Sequence, residues 1–212
     1  INQNNLEKTT DQITKFYLLS GNSSMAESLI QKSMKRGNFS AQTLFNAAQL
    51  AYQKKSLENL PTIISELNKI SNEDGDLGIN AIRHLVLLNS IYSFSKEEIY
   101  NWLKLLRQND KSEKIDFLRV FTLIYALQLD EDKKKEIISD ASTVFNLEKK
   151  EEMAIFCRWL MKIEAVDEVT EYLPQMKARL DEDLFVIRSN ALIRLERFEQ
   201  LETELENAPI VH

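Results

Sequence analysis

Residues 16–33 read FYLLSGNSSMAESLIQKS, the pattern of two short helices that meet at a Gly-Asn corner, residues 21–22. Glycine ends helices because it adopts the left-handed conformation without strain, and Ser23 or Ser24 is a good N-cap for the helix that follows. Thirty-four residues further on, residues 50–67 read LAYQKKSLENLPTIISEL and repeat this layout. The chain therefore contains an internal repeat whose unit is a pair of helices.

The composition predicts an all-helical protein. The 212 residues include only four glycines and three prolines, too few for the turns of a sheet-rich fold. The abundant Leu, Glu, Lys, Ile and Ala residues favour helix instead. At this length, folding buries roughly 70% of the surface of the extended chain, which is enough for one large domain or two small ones.

The net charge of −6 is concentrated in the C-terminal half of the chain. Residues 107–212 carry 16 basic and 23 acidic side chains, against 11 and 10 in residues 1–106. Nucleic-acid-binding proteins usually present a basic face, so we expect no nucleic-acid partner. The one basic run, residues 133–135, is flanked by acids and is interpreted as a solvated helix start. No apolar run approaches the roughly 18–20 residues of a membrane helix, so we expect no direct membrane insertion.

The repeated helix pair resembles the tetratricopeptide repeat, a helix–turn–helix unit of about 34 residues. In that family, small residues at repeat positions 8 and 20 let paired helices approach closely, and Ala48 and Ala26 match these positions. Tyr17 matches an aromatic position and Gly21 matches the turn. The resemblance implies an all-α, right-handed solenoid of about six antiparallel helix pairs, each burying its apolar stripe against its neighbours. Other helical-pair solenoids and a closed helical bundle are the alternatives.

The repeat pattern, used as a template along the whole chain, predicts one domain over residues 1–212. Its repeats are expected at residues 7–40, 41–74, 75–114, 115–149, 150–181 and 182–209. The third repeat is irregular, because its NSIYSF loop is longer than a repeat turn allows and precedes a capping box of Ser95 and Glu98. In the fifth repeat, Cys157 takes a small-residue position and is predicted to pack against the second helix of its own pair.

Apolar spacing predicts which faces are buried. Trp102 and Trp159 lie on apolar stripes and are expected in the core. The second helices of the last two repeats carry two further stripes that match the template, and the last of these helices, which is rich in acids, is interpreted as the solvated end of the solenoid. These stripes are Val166, Val169, Leu173 and Met176 in the fifth repeat, and Phe198, Leu201, Leu205 and Ala208 in the sixth.

The sequence contains no recognised catalytic motif: no phosphate-binding glycine loop, no HExxH, no GxSxG and no dinucleotide fingerprint. Its only imidazoles are His84 and His212. His84 is interpreted as a partly buried structural residue, and Cys157 as a packing residue without the neighbours that activate a thiol. Paired acids fall at expected helix starts, where they favour the helix dipole. We therefore expect no enzyme, no cofactor and no metal.

The resemblance implies that a partner binds the concave face, which the first helix of each pair lines. Amides can hydrogen-bond the backbone of an extended peptide there, and aromatic rings can hold its side chains. The family's clamp for acidic C-terminal tails is matched only by Asn46, while Asp11 and Asp76 stand where it requires lysine. Binding of such tails is therefore not predicted. The candidate protein- or peptide-binding residues are Lys15, Phe45, Asn46, Gln49, Tyr52, Arg119, Arg158 and Asn190.

Together these features predict a non-catalytic scaffold that binds a protein or peptide in its concave groove. The alternative is a helical regulatory or accessory domain of a larger enzyme or envelope protein, acting in cis. Self-association through the IYSF loop, residues 91–94, or through the last helices is a further expectation. One cysteine excludes an internal disulfide and favours a cytoplasmic location. The sequence lacks an initiator Met, so we expect a fragment of a longer protein from which a targeting segment can have been removed.

Overall fold

The computed structural model describes residues 3–36, 40–55 and 58–206, with side chains from residue 8 onward. In these ranges the chain forms helices and turns and no strand, which confirms the all-α prediction. The helices, in chain order, are α1 (Gln3–Leu19), α2 (Ser23–Lys35), α3 (Ala41–Lys54), α4 (Leu60–Ile70), α5 (Asp76–Leu88), α6 (Lys96–Gln108), α7 (Lys114–Ala126), α8 (Glu131–Ser142), α9 (Lys150–Lys162), α10 (Val166–Tyr172), α11 (Gln175–Ala178), α12 (Glu182–Arg194) and α13 (Phe198–Glu206).

The chain forms two compact units that divide within α7, between Val120 and Phe121. In the first unit, α1 packs against α2 and α3, α3 packs against α2, α4 and α5, and α4 packs against α5. In the second unit, α9 packs against α10 and α12, and α12 also packs against α10, α11 and α13. Helices therefore bury their apolar faces against neighbours along the chain. The single domain over residues 1–212 stays a prediction.

The first helix corner differs from its prediction in one detail. Gly21 ends α1 with a φ of +76°, as expected. The N-cap of α2 is Asn22, because the Asn22 side chain accepts a hydrogen bond from the Met25 N–H at 3.4 Å. Ser23 and Ser24 therefore lie inside the helix. An asparagine caps as well as a serine, so residue type alone could not place this boundary.

The predicted capping box opens α6. Ser95 Oγ accepts a hydrogen bond from the Glu98 N–H at 3.2 Å, and the Glu98 carboxylate accepts one from the Ser95 N–H at 2.8 Å. In the loop before it, Phe94 is buried edge-to-face against Trp102, with ring centroids 4.8 Å apart. Tyr92 is the exposed ring of this loop. The phenylalanine of this loop is therefore buried, and the tyrosine is exposed and can contact another molecule.

The buried stripe of the fifth repeat ends earlier than predicted. Val166, Val169 and Leu173 are buried, but Met176 is 82% exposed. Pro174 separates α10 from α11, because proline has no N–H with which to continue the helix. The stripe's helical register is lost at this break, and Met176 faces solvent.

The template stripe of the last helix is mostly exposed. Phe198 and Leu205 are 58% and 53% exposed, and Leu201 is half-buried. The buried residue of α13 is Glu204, which is only 3% exposed. A tertiary ion pair fixes this orientation, and it overrides the apolar spacing. Ala208 lies outside the described residues.

That ion pair is made by Arg188 of α12. Its Nε and Nη2 donate to the two carboxylate oxygens of Glu204 at 2.9 and 2.8 Å. Its Nη1 donates to the main-chain carbonyls of Thr170 and Leu173 at 3.1 and 2.7 Å. Carbonyls at the end of a helix lack intrahelical donors, so the guanidinium satisfies them while it neutralises the carboxylate. One buried side chain thus ties α12 to α13 and to the end of α10.

Three core predictions agree with the structure. Trp102 and Trp159 are 1% and 4% exposed, and Cys157 is fully buried. Burial raises the pKa of the Cys157 thiol to about 12, and its Sγ lies 3.6 Å from Met153 Sδ on the same helix. The thiol is therefore protonated and inert at neutral pH, as expected for a packing residue.

Cys157→Trp tests the predicted packing of the fifth pair. Because the cysteine is fully buried, an indole has no space there, and we expect a loss of about 1–3 kcal/mol in the free energy of unfolding. Urea denaturation followed by circular dichroism measures it. Ile155→Trp is the matched control, since Ile155 is 41% exposed on the same helix and the change there should stay within about 0.5 kcal/mol. Equal effects of the two variants would contradict the assignment.

Candidate functional site

A cleft of about 340 Å³ opens between α1, α3 and α5 in the first unit. Half of its lining residues are Asn or Gln, and none is Asp or Glu. Amides both donate and accept hydrogen bonds, so this surface can bind ligand groups that donate hydrogen bonds and ligand groups that accept them. We call it the first cleft. Its lining residues are Lys15, Leu18, Leu19, Gln42, Phe45, Asn46, Gln49, Gln53, Asn80 and His84.

A second cleft, of about 450 Å³, adjoins the first because Gln49 and His84 line both. It is more apolar and is lined by two arginines, and α7 contributes one residue to it. Its other lining residues are Arg83, Val86, Leu87 and Arg119. We call the two clefts together the groove. The groove is formed by α1, α3, α5 and Arg119 of α7, on the helices that the sequence assigns as the first of each pair.

The structure brings five of the eight candidate residues to this groove. Lys15, Phe45 and Asn46 line the first cleft, Gln49 lines both clefts, and Arg119 lines the second. The groove thus has an amide centre and a cation at each end.

The other three candidates do not line it. Tyr52 lies on α3 with 42% of its surface exposed, and it lines neither cleft. Arg158 and Asn190 are exposed residues of the second unit, where Arg158 Nη2 lies 3.0 Å from the Asp183 carboxylate.

Asn46 already uses its amide within the protein. It is 4% exposed, its Nδ2 donates to the main-chain carbonyl of Asp11 at 3.1 Å, and its Oδ1 accepts from Gln42 Nε2 at 3.1 Å. It therefore links α3 to α1 and supports the wall of the first cleft. Gln49 is half-buried and is the better-placed amide for a ligand.

Asp11 supports the same wall. Its carboxylate accepts hydrogen bonds from Ser40 Oγ at 2.6 Å and from Thr43 Oγ1 at 2.7 Å. These bonds join the N-cap of α3 to the middle of α1, and they satisfy the buried carboxylate of Asp11. This position holds the helices together and does not present a charge to a ligand.

A cluster of charged residues closes the other end of the groove. Arg83 Nε and Nη2 donate to the two oxygens of Asp116 at 2.8 Å, and Arg83 Nη2 also lies 3.3 Å from Glu113. Arg119 Nη1 lies 3.6 Å from the same Asp116. Because the two acids neutralise much of this charge, the second cleft is only weakly basic. Lys15, at the opposite end, forms no ion pair with a described residue.

His84 is one of the groove residues that sequence analysis did not name as a binding residue. Its ring stacks on Phe45 with centroids 4.7 Å apart and planes 9° apart. Its Nδ1 lies 2.7 Å from the Asn80 carbonyl oxygen, which can only accept, so Nδ1 carries the hydrogen. Burial lowers the pKa of His84, and the charge of Arg83 lowers it further against the opposing effect of the Asn80 hydrogen bond. The ring is therefore neutral at pH 7, with Nε2 as its acceptor.

The groove offers hydrogen-bonding groups, apolar side chains and cations. Within the residues that the structure describes, no three His, Cys, Asp or Glu side chains are grouped as metal ligands. Over the same ranges, no helix combines the length and the apolarity needed to cross a membrane. His84 faces amides, cations and a phenyl ring in the groove. What this arrangement can do is hold polar and apolar groups of a ligand.

Comparisons with known proteins give no relative. No family model matches the chain, and neither a curated protein nor a solved structure shows significant similarity to it.

Proposed function

We propose that the protein is a non-catalytic interaction module that binds an extended segment of a partner protein in the groove. The observation that carries this proposal is the convergence of α1, α3 and α5 on a cleft lined by amides, one ring pair and a lysine. Several amides along a groove can hydrogen-bond a polypeptide, because its backbone has a donor and an acceptor at every residue, and the apolar side chains between them can contact its side chains.

We further propose that the helix pairs are tetratricopeptide-like repeats of a right-handed solenoid of six pairs. Two observations support this. The helices α3, α9 and α12 begin at residues 41, 150 and 182, where the sequence template starts a repeat. In the first unit, α1 packs against α2 and α3, and α3 packs against α4 and α5, so two successive first helices contact both their partner and the next first helix, as in stacked pairs.

In this proposal, different parts of the groove have different roles. Gln49 and Gln53 hydrogen-bond the main chain of the segment. Leu18 and Leu19 at one end, with Val86 and Leu87 at the other, contact its apolar side chains. Lys15 attracts a carboxylate of the segment. Because Asn46 and Asp11 fix α3 on α1, the groove is already formed before the ligand arrives, and binding does not require the receptor to become ordered.

Selection of random peptides displayed on phage tests the proposal. We expect the parent protein to enrich a family of related peptides, and Lys15→Glu/Gln49→Ala to bind the enriched peptide at least tenfold more weakly. Loss of one charged contact and one amide contact corresponds to about 1.4 kcal/mol or more, which is a factor of ten in the dissociation constant. Fluorescence anisotropy of the labelled peptide measures it.

Lys104→Glu/Asn101→Ala is the matched control. Both residues are exposed on α6, outside the groove, and the changes have the same chemistry. We expect this variant to bind like the parent. Equal binding by the groove variant would place the interface elsewhere, and failure of the parent to enrich any peptide would count against a peptide-binding groove and favour the accessory domain acting in cis.

A further inference from the structure

We infer that His84 is a ligand-binding residue of the groove, whose Nε2 accepts a hydrogen bond from a main-chain N–H of the bound polypeptide segment. Binding is then strongest when the imidazole is neutral and weakens on acidification. This inference rests on the proposed function, and it adds an acceptor and a pH dependence that the repeat pattern does not predict.

The geometry of the ring leaves one nitrogen for a ligand. Stacking on Phe45 fixes the plane of the imidazole, and donation from Nδ1 to the Asn80 carbonyl fixes its rotation and its tautomer. Nε2 forms no hydrogen bond with a described residue. Of the buried side-chain nitrogen and oxygen atoms in the described ranges, only Arg179 Nε lacks a partner, so Nε2 is in contact with solvent. A purely structural role accounts for the ring face and for Nδ1 but leaves Nε2 unused.

The position of His84 suits a contact with a main chain. It lines both clefts, so a segment that runs from one cleft into the other passes it. The amide of Gln49 lines the same two clefts and presents both a donor and an acceptor. An extended backbone alternates N–H and C=O groups, so one of its N–H groups can bond Nε2 while neighbouring groups bond the glutamine.

Burial keeps the ring neutral, and the charged groups on the helices around it do not oppose this. On its own helix Arg83 is paired with Asp116 and Glu113. Lys15 of α1 and Arg119 of α7 line the same clefts as cations, and α3 presents only uncharged groups to them. On α4, which also packs against α5, Glu66 and Lys69 pair with each other. No carboxylate lines either cleft to stabilise an imidazolium.

The sign of the pH dependence follows from these contacts. The pKa of His84 is lowered from its ordinary value of 6.5, chiefly by burial. An N–H of the ligand can bond only the neutral ring, so binding is fully developed above this pKa. As pH falls through it, Nε2 becomes a donor that opposes the ligand's N–H, and the apparent dissociation constant rises by up to about tenfold per pH unit.

Two substitutions separate the acceptor from the ring. His84→Phe keeps an aromatic face on Phe45 but has no acceptor, and we expect it to bind the peptide enriched by the parent about five- to tenfold more weakly, with no loss of affinity between pH 7.5 and pH 5. His84→Gln supplies an amide oxygen that does not titrate, so we expect it to bind better than His84→Phe and also without pH dependence. Circular dichroism at each pH confirms that the variants remain folded.

A second measurement needs no ligand. Nitrogen NMR of the two histidines, with His84 assigned by comparison with His84→Gln, should show the Nδ1–H tautomer at pH 7.5. A neutral Nε2–H ring would overturn the inference. It would also be overturned if His84→Phe bound the peptide with the parent's affinity and pH profile, even while Lys15→Glu/Gln49→Ala still lost binding. In that case the proposed function would stand without His84, whereas failure of the parent to bind any peptide would remove both.

Discussion

Arg188→Met is expected to lower the free energy of unfolding by about 3–5 kcal/mol, because it leaves the Glu204 carboxylate buried without its counter-ion. Glu204 is 3% exposed and Arg188 is 5% exposed, so water does not replace the lost partner. The substitution also removes the donor to the carbonyls of Thr170 and Leu173. A buried acceptor without a donor costs about 1–3 kcal/mol.

Urea denaturation of the parent and the variant measures this loss. Arg158→Met is the matched control, since Arg158 forms a solvent-exposed pair with Asp183 and should lose no more than about 1 kcal/mol. The double variant Arg188→Met/Glu204→Leu should recover part of the stability, because it removes the orphaned charge together with its partner. If Arg188→Met were as mild as the control, the buried ion pair would not be what orients α13.

The Arg188–Glu204 pair also makes the stability of the protein depend on pH. Burial raises the pKa of Glu204, but hydrogen bonds from Arg188 and Gln200 and the charges of Arg188 and Arg179 together hold it below its ordinary value of 4.5. The folded state therefore binds this proton less readily than the unfolded state. The carboxylate's contribution to stability is fully present above about pH 4.5 and is lost as pH falls through the lower folded pKa. In Arg188→Met, burial acts without the arginine, so this contribution should disappear.

Gly78→Ala is expected to lose about 3 kcal/mol, at the upper end of what overpacking costs. A Cβ on Gly78 would lie 1.9 Å from the main-chain oxygen of Glu73 and 3.3 Å from that of Ser71. Both atoms belong to the backbone between α4 and α5, so no side-chain rotation can relieve the clash. In a helix, alanine is more favourable than glycine by about 1 kcal/mol. A net loss of stability in Gly78→Ala would therefore show that the clash outweighs this gain. Thermal and urea unfolding of the variant measure it.

Gly75→Ala is the informative comparison. Gly75 has a φ of +74°, but nothing lies within 4 Å of the position that its Cβ would take. Its substitution should therefore cost only the backbone strain of an alanine at φ +74° and ψ −155°, a region open almost only to glycine, about 1–3 kcal/mol. An unchanged or increased stability of Gly78→Ala would mean that the corner after α4 passes further from α5 than the structure shows.

The features predicted correctly are those that depend on residues close together in the sequence. Helix content, the end of α1 at Gly21 and the capping box of Ser95 and Glu98 depend on residues within one turn of each other, so the sequence carries the whole signal. The burial of Trp102 also followed from helical spacing within a single element, and that of Cys157 from its small-residue position in the repeat template. Repeat spacing placed Lys15, Phe45 and Gln49 on first helices, and these residues line the groove.

Local sequence patterns were thus enough to locate the helices, several of their buried faces and the candidates on the first helices. Which polar residues are internal became clear from the packing of the helices. Asn46 and Asp11 turned out to join two helices, Glu204 replaced Leu205 in the buried face of α13, and His84 lies in the groove. The physical reason is that a buried polar group is stable only when a distant partner satisfies it, and a pattern within one helix carries no information about that partner.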